Sequence, residues 1–122
     1  EEFQHLKRGL VSFGIPINLG TSLLPDILPD GGTDAELHAM DVTAHVTGRY
    51  PPCFVMTANN DFLKEQAPLM TAALEHCGVP CMYRCYGDET QKLGHVFHCN
   101  IRAEAAQNCN TEECGFFKRF ME

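Results

Sequence analysis

Two short apolar runs, separated by a helical segment, constrain the fold of this 122-residue chain more than any other feature. The first run, Cys53-Phe54-Val55-Met56-Thr57, follows two prolines and predicts a strand buried on both faces. The second run, residues 79–86, predicts another strand. Between them, apolar residues recur at spacings of three and four from Leu69 to Cys77, which predicts an amphipathic helix that Gly78 ends.

Strand, helix and strand in succession are typical of a βαβ unit with parallel strands and a right-handed crossover. A sheet in water usually needs three or more strands to be stable. We therefore expect an α/β fold whose sheet is incomplete in this chain. A further helical pattern over residues 101–121 predicts a C-terminal helix that packs beside the unit.

The composition narrows the classes of partner. Acidic residues number 16 and basic residues 9, which gives a net charge of −7. A chain this acidic has no electrostatic footprint for a nucleic-acid backbone or an anionic membrane. Its longest apolar runs span about four residues, whereas a membrane span needs roughly 20. We expect one domain at this length, with no nucleic-acid or membrane partner.

The seven cysteines are scattered through apolar periodic segments, which indicates small buried side chains and free thiols. An odd number cannot pair completely within the chain, and disulfide scaffolds place cysteines in loops instead. The pattern therefore favours a reducing compartment, and we expect a cytoplasmic protein.

The two halves of the chain differ in character. Residues 1–48 are rich in glycine and proline and predict an irregular connecting segment, with a short helix at residues 2–9. Thr33 or Asp34 is expected to cap another short helix. Residues 49–122 hold the βαβα pattern. Because the chain starts at Glu1 rather than Met, we expect it to be processed or part of a longer protein.

Two residues with chemical potential follow the predicted strands. Asp61 comes just after the first strand, and His95 lies in the loop beyond the second. The carboxyl ends of parallel strands meet at one edge of the sheet, where ligands bind in open α/β folds. An imidazole beside a carboxylate is held in one tautomer and can take a proton from a nucleophile. The plainer interpretation is a helix-capping Asp61 and an ordinary loop histidine.

The sequence around these residues resembles a known family. The segment PPCFVMTANNDFL, residues 51–63, is similar to the strand-to-acid segment of α/β-hydrolase esterases, in particular the hormone-sensitive-lipase-like and acetyl-esterase group. Gly94-His95-Val96-Phe97 resembles the Gly-His-Gly-Phe signature around the triad histidine of that family, with Val96 in place of glycine. The resemblance implies that Asp61 and His95 are the catalytic acid and histidine of a serine hydrolase. It also implies that the irregular segment 1–48 is cap-like.

The same resemblance implies that the family motif which carries the nucleophile is missing from this chain. The family places its nucleophile in Gly-x-Ser-x-Gly, which does not occur here, and neither Ser12 nor Ser22 has both flanking glycines. The expected protein is thus the C-terminal part of an α/β-hydrolase that hydrolyses short-chain carboxylic esters without metal or cofactor. The chain alone is expected to be inactive. Its expected partners are the ester substrate of the parent, and the upstream part of the same protein or a second copy.

Several alternatives stay open. The chain is otherwise a non-catalytic α/β interaction module, or a fragment of a related serine peptidase or thioesterase. Glu65 is a rival triad acid, and Cys99 beside His98 is a rival nucleophile. A further set of residues has spacing that suits thiolate binding of zinc. These residues are Cys77, Cys81 and Cys85.

Overall fold

The computed structural model describes residues 28–121, which divide into two compact units between residues 45 and 46. The helix predicted at residues 2–9 and the serines Ser12 and Ser22 lie outside the described residues. Among the residues that the structure does describe, no helix is long and apolar enough to cross a membrane.

Among the residues of the first unit that the structure describes, 28–45, there is one α-helix, α1 (Asp34–Met40), which begins with a capping box. The Thr33 hydroxyl accepts a hydrogen bond from the amide of Glu36, and the Glu36 carboxylate accepts one from the amide of Thr33. The amide of Asp30 also donates to this carboxylate, and these bonds lower the pKa of Glu36. Of the two caps expected, the structure uses Thr33. A single 3-10 turn, Thr43–His45, follows.

The second unit is built on two parallel strands, β1 (Cys53–Ala58) and β2 (Cys81–Tyr86), paired in register from Cys53 opposite Cys81. Both strands and the helix between them were expected from the sequence, and the βαβ order is confirmed. The described residues are therefore a small mixed α/β structure with a two-stranded parallel sheet.

The connecting helix, α2 (Gln66–His76), ends where Gly78 takes a left-handed conformation with φ +70°. The amide of Gly78 donates to Glu75 O (3.0 Å) and the amide of Val79 to Leu74 O (2.9 Å), the two bonds of a Schellman motif. Val79 is thus part of the helix end. For this reason β2 starts at Cys81, two residues later than expected.

The burial of β1 differs from the sequence expectation. Only Thr57 and Ala58 are buried, and the four residues before them are half-buried. The expectation of a strand buried on both faces is therefore wrong for residues 53–56. In the described part of the chain β1 has a neighbouring strand on one side only, so the other edge of these residues keeps solvent contact.

The last helix, α3 (Glu104–Lys118), packs on the face of the sheet that carries the even-numbered side chains. The rings of Phe116 and Phe54 lie 5.9 Å apart. The Tyr86 hydroxyl donates to the Glu112 carboxylate, whose Oε1 is also 3.3 Å from Nε of Arg84. Burial, followed by this hydroxyl bond, raises the pKa of Tyr86. The helix is shorter at both ends than residues 101–121, because turns occupy its predicted first and last residues.

The odd-numbered side chains of the strands face the other way, because side chains alternate along a strand. Cys81 is one of them, and burial, followed by the nearby charge of Glu75 on α2, raises the pKa of this thiol. Helices α2 and α3 therefore cover opposite faces of the sheet. Because the strands are parallel, the carboxyl ends of β1 and β2 lie at the same edge of the sheet.

Candidate active site

Asp61 lies in the turn that follows β1. Its amide donates to Ala58 O (3.1 Å), which closes the turn, and its Oδ1 accepts from the amide of Leu63 (2.8 Å). The Asp61 side chain is only 11% exposed. The backbone thus fixes the carboxylate in one orientation at the carboxyl edge of the sheet.

His95 meets this carboxylate from the loop that follows β2. Its Nδ1 lies 3.1 Å from each carboxylate oxygen of Asp61. The His95 side chain is 39% exposed, so the ring has one side on the protein and one side on solvent. The contact expected from the sequence is therefore present, and it joins two residues that are 34 positions apart.

An aromatic ring supports the imidazole. The centroids of the Phe62 and His95 rings are 4.7 Å apart, with an interplanar angle of 54°. This tilted arrangement is one that aromatic pairs favour. Phe62 follows Asp61 directly, so a single turn supplies both the carboxylate and the ring that restrict the histidine.

The residue after the histidine has an unusual backbone conformation. Val96 is left-handed, with φ 51° and ψ 30°, and it is the one non-glycine residue with positive φ among residues 28–121. Such a conformation is a clear outlier for a β-branched residue. It allows the chain to turn into the 3-10 helix Phe97–Cys99, where Phe97 stacks 5.3 Å from Tyr86. The glycine expected here from the family signature would adopt this conformation without strain.

The geometry of Asp61 and His95 determines which proton transfers the imidazole can carry out. A carboxylate accepts only, so the nitrogen that faces Asp61 is the one that carries a hydrogen when the imidazole is neutral. The lone pair then lies on Nε2 of His95, which makes no hydrogen bond to any of the described residues. An imidazole in this state can accept a proton from a nucleophile and return it to a leaving group.

The rival residues lie elsewhere. Glu65 is an exposed residue at the start of α2, and the carboxylate that contacts His95 belongs to Asp61. Cys99 Sγ lies 3.7 Å from Nε2 of its neighbour His98, whose buried Nδ1 has no partner among the described groups. The pair His98–Cys99 therefore exists, but no contact joins it to Asp61 or His95.

The cysteines do not form a metal site in the described part of the chain, where no three His, Cys, Asp or Glu side chains come together. Cys77 donates to Val46 O (3.5 Å), and Cys85 is exposed on β2. Burial raises the pKa of the Cys53 and Cys81 thiols. All seven thiols are unpaired.

Sequence reasoning gave no role in the site to three residues close to this pair, namely Asn59, Phe62 and Val96. Asn59 belongs to the run Ala58-Asn59-Asn60-Asp61, which predicts a turn, and its side chain carries no further prediction. Only the departure of Val96 from the family signature gave a signal, since a glycine at that position implies a positive φ.

Comparison with known proteins gives no relative. Neither protein-family models, nor curated proteins, nor solved structures show significant similarity to this chain.

Proposed function

We propose that the chain is the C-terminal part of an α/β-hydrolase esterase that acts on short-chain carboxylic esters, and that Asp61 and His95 are its catalytic acid and histidine. The observation that carries this proposal is the contact between His95 Nδ1 and the Asp61 carboxylate at the carboxyl edge of a parallel sheet. Further support comes from chain order, because acid precedes histidine in this family of folds.

In the proposed reaction a serine attacks the ester carbonyl while Nε2 of His95 takes its proton. The imidazolium that forms is stabilised by the Asp61 carboxylate, which also fixes the ring orientation. His95 then protonates the departing alcohol, and the acyl-serine is hydrolysed by a water that His95 activates in the same way. No step requires the carboxylate of Asp61 to change protonation.

The serine and the oxyanion donors of this proposal come from another segment of the protein, because the sequence offers no Gly-x-Ser-x-Gly. The proposed partner is therefore the upstream part of the same protein, or a second copy. All seven cysteines are free thiols, and their spacing is not that of a disulfide scaffold. Both observations support the further proposal of a cytoplasmic location.

The test is hydrolysis of p-nitrophenyl acetate by the longer protein. We expect His95→Ala to lower kcat by roughly 10⁴- to 10⁶-fold and Asp61→Asn by roughly 10⁴-fold. His76→Ala is the matched control, since this exposed histidine on α2 should leave the rate unchanged. The 122-residue chain alone should not react with a fluorophosphonate probe. A stoichiometric adduct on Ser12 or Ser22, or full activity of His95→Ala, would contradict the proposal.

One observation favours a second candidate, a non-catalytic interaction module. Within residues 28–121, β1 is bonded to β2 on one side only, and strand edges recruit partner strands. Under this alternative, substitution of Asp61 or His95 leaves every activity of the longer protein unchanged. Sedimentation then shows whether the chain dimerises, and a sharp monomer that melts cooperatively contradicts edge pairing.

A further inference from the structure

The side chain of Asn59, the first residue after β1, is bonded to three backbone groups of the loop that follows β2. Its Nδ2 donates to the carbonyls of Asp88 (2.7 Å) and Gln91 (3.0 Å), and its Oδ1 accepts from the amide of Leu93 (3.0 Å). The donor and the acceptor of one amide therefore both bond to a segment that lies 29 to 34 residues away along the chain. This set of bonds is specific to an amide side chain, since it needs two donors and one acceptor.

Two backbone bonds flank the Asn59 side chain. The amide of Asn59 donates to Tyr86 O (2.8 Å), which extends the pairing of the strands, and the amide of Asn60 donates to Leu93 O (3.0 Å). Leu93 is thus held through both its amide and its carbonyl. The loop is fastened to the end of β1 at its start, its middle and its end.

The loop leaves room for this side chain at one position. Gly87 has φ +91°, and a Cβ added there would lie 2.5 Å from Oδ1 of Asn59. Real Cβ atoms do not approach another atom so closely. The absence of a side chain at residue 87 is therefore what allows Asn59 to reach the loop carbonyls.

Asn59 is close in sequence to Asp61 and is bonded to the loop that carries His95. Asp61 is two residues after Asn59, and His95 is two residues after Leu93. We infer that Asn59 is a positioning residue, which holds the His95 loop at the distance that brings Nδ1 onto the Asp61 carboxylate. Its effect on hydrolysis rests on the proposed function, but its effect on the position of His95 does not.

The other contacts of the loop do not replace this one. On the amino side of His95 the remaining tie to the β1 end is the backbone bond from Asn60 to Leu93, and on the carboxyl side Phe97 packs on Tyr86. Without the Asn59 side chain, the Asp88 carbonyl loses its partner, while Gln91 O keeps the bond from the amide of Asp88 (3.0 Å). We then expect the loop, which beyond Tyr86 is held to the end of β1 by the Asn60–Leu93 bond, to shift relative to that end. A displacement of about 1 Å at a catalytic group can cost about 10²-fold in rate.

The first test measures the imidazole nitrogen chemical shifts of His95 by NMR in the protein and in Asn59→Ala. We expect the protein to show the tautomer with hydrogen on Nδ1, and the variant to shift toward hydrogen on Nε2. Asn60→Ala is the matched control, because no hydrogen bond joins the Asn60 side chain to the described residues. An Asn59→Ala protein that folds and keeps the original tautomer overturns the inference.

If Asn59→Ala does not fold, two further measurements test whether Asn59 positions His95. Asn59→Leu keeps the branched shape of the side chain, removes all three bonds and should produce the same change of tautomer. In the unaltered protein, the Leu93 amide should be protected from hydrogen exchange, whereas the exposed amide of Glu89 should not be. Rapid exchange at Leu93 overturns the inference without any variant.

Kinetics of the longer protein separate this inference from the proposed function. We expect Asn59→Ala to lower kcat by about 10²-fold with little change in KM. If His95→Ala retains full activity while Asn59→Ala still shifts the tautomer, the esterase proposal fails and the positioning role stands. If His95→Ala is inactive and Asn59→Ala changes neither tautomer nor kcat, the positioning role fails and the esterase proposal stands.

Discussion

The two ends of the small parallel sheet are built by different means. At the carboxyl end, side-chain amides and carboxylates bond to backbone groups at defined angles, as Asn59 and Asp61 do. At the amino end, Cys53 and Cys81 stand opposite each other as half-buried thiols, and the side-chain bond there runs from Cys53 Sγ to Pro51 O (3.1 Å). The carboxyl end therefore depends on directional side-chain bonds more than the amino end does, and the amino end depends more on burial.

This difference matters because directional bonds and burial specify different things. Burial of apolar groups is roughly proportional to area and tolerates small rotations. A hydrogen bond weakens steeply as its angle departs from linear. A site that must hold an imidazole against a carboxylate needs the angular restraint of hydrogen bonds, and the side chains of Asn59 and Asp61 supply such bonds at the end where Asp61 and His95 lie.

The largest expected effect compares two glycines with positive φ, one at each end. Gly87→Ala at the carboxyl end adds a strained φ, about 1–2 kcal/mol, and a contact with Asn59 that costs about 1–3 kcal/mol more. Gly78→Ala at the amino end has φ strain alone, because nothing lies within 4 Å of the added Cβ. Urea unfolding should show the greater loss for Gly87→Ala. Equal losses would mean that the Asn59 contact is not tight.

A smaller change in the free energy of unfolding, an increase instead of a loss, is expected from a substitution at Val96, beside His95. Val96→Gly removes left-handed strain of about 1–2 kcal/mol and adds about 0.5–1 kcal/mol of chain entropy. We expect the free energy of unfolding to rise by up to about 1 kcal/mol, since Val96 is 50% exposed and loses little packing. Val42→Gly is the control, with similar exposure (52%) and no positive φ, and it should be destabilising. A loss of stability in both variants would contradict the strain at Val96.

The thiols at the amino end of the sheet can be compared with exposed thiols by their rates of reaction with iodoacetamide. Burial raises the pKa of Cys53 and Cys81, so at pH 8 both carry less thiolate than an ordinary cysteine. We expect iodoacetamide to modify them more slowly than the exposed Cys85 and Cys99, with rates that climb as the pH rises. Their contribution to stability is complete below pH 9 and is lost as the pH rises through the shifted values. Mass spectrometry of timed digests measures the order, and early modification of Cys53 would contradict it.

The smallest expected effect is the response of the loop after β2 to acidic pH. The Thr90 hydroxyl, then the amides of Gln91 and Thr90, lower the pKa of Asp88. A lowered pKa means that these bonds are complete above about pH 4 and are lost as the pH falls through the shifted value. Amide chemical shifts of Thr90 and Gln91 should therefore titrate below pH 4. Asp88→Asn should abolish that titration, and unchanged shifts at low pH would contradict the bonds.

Much of the fold follows from local pattern. The run at residues 53–57 differs by one residue from β1, and the spacing from Leu69 to Cys77 locates the body of α2. The helix stop at Gly78 follows from its conformational freedom. These features depend on residues close together in sequence, which is why spacing alone reveals them.

Burial and the details of the site do not follow from local pattern. The half-burial of residues 53–56 depends on how many strands lie beside β1, which no run of apolar residues encodes. The contact of Asp61 with His95 was expected because parallel strands bring their carboxyl ends together. The Asn59 bonds depend on the exact path of a loop some 30 residues away, and an Asn beside a strand predicts only a turn.

The bonds of Asn59 have a consequence for how this protein can change over generations. All three reach backbone atoms, and every residue type except proline presents the same backbone groups. The exposed side chains of Glu89 and Lys92 are therefore free to vary while the loop keeps its path. A library randomised at these two positions should keep the His95 contact in most members, so that the surface beside the candidate site can acquire new charge or shape while Asp61 and His95 stay in contact.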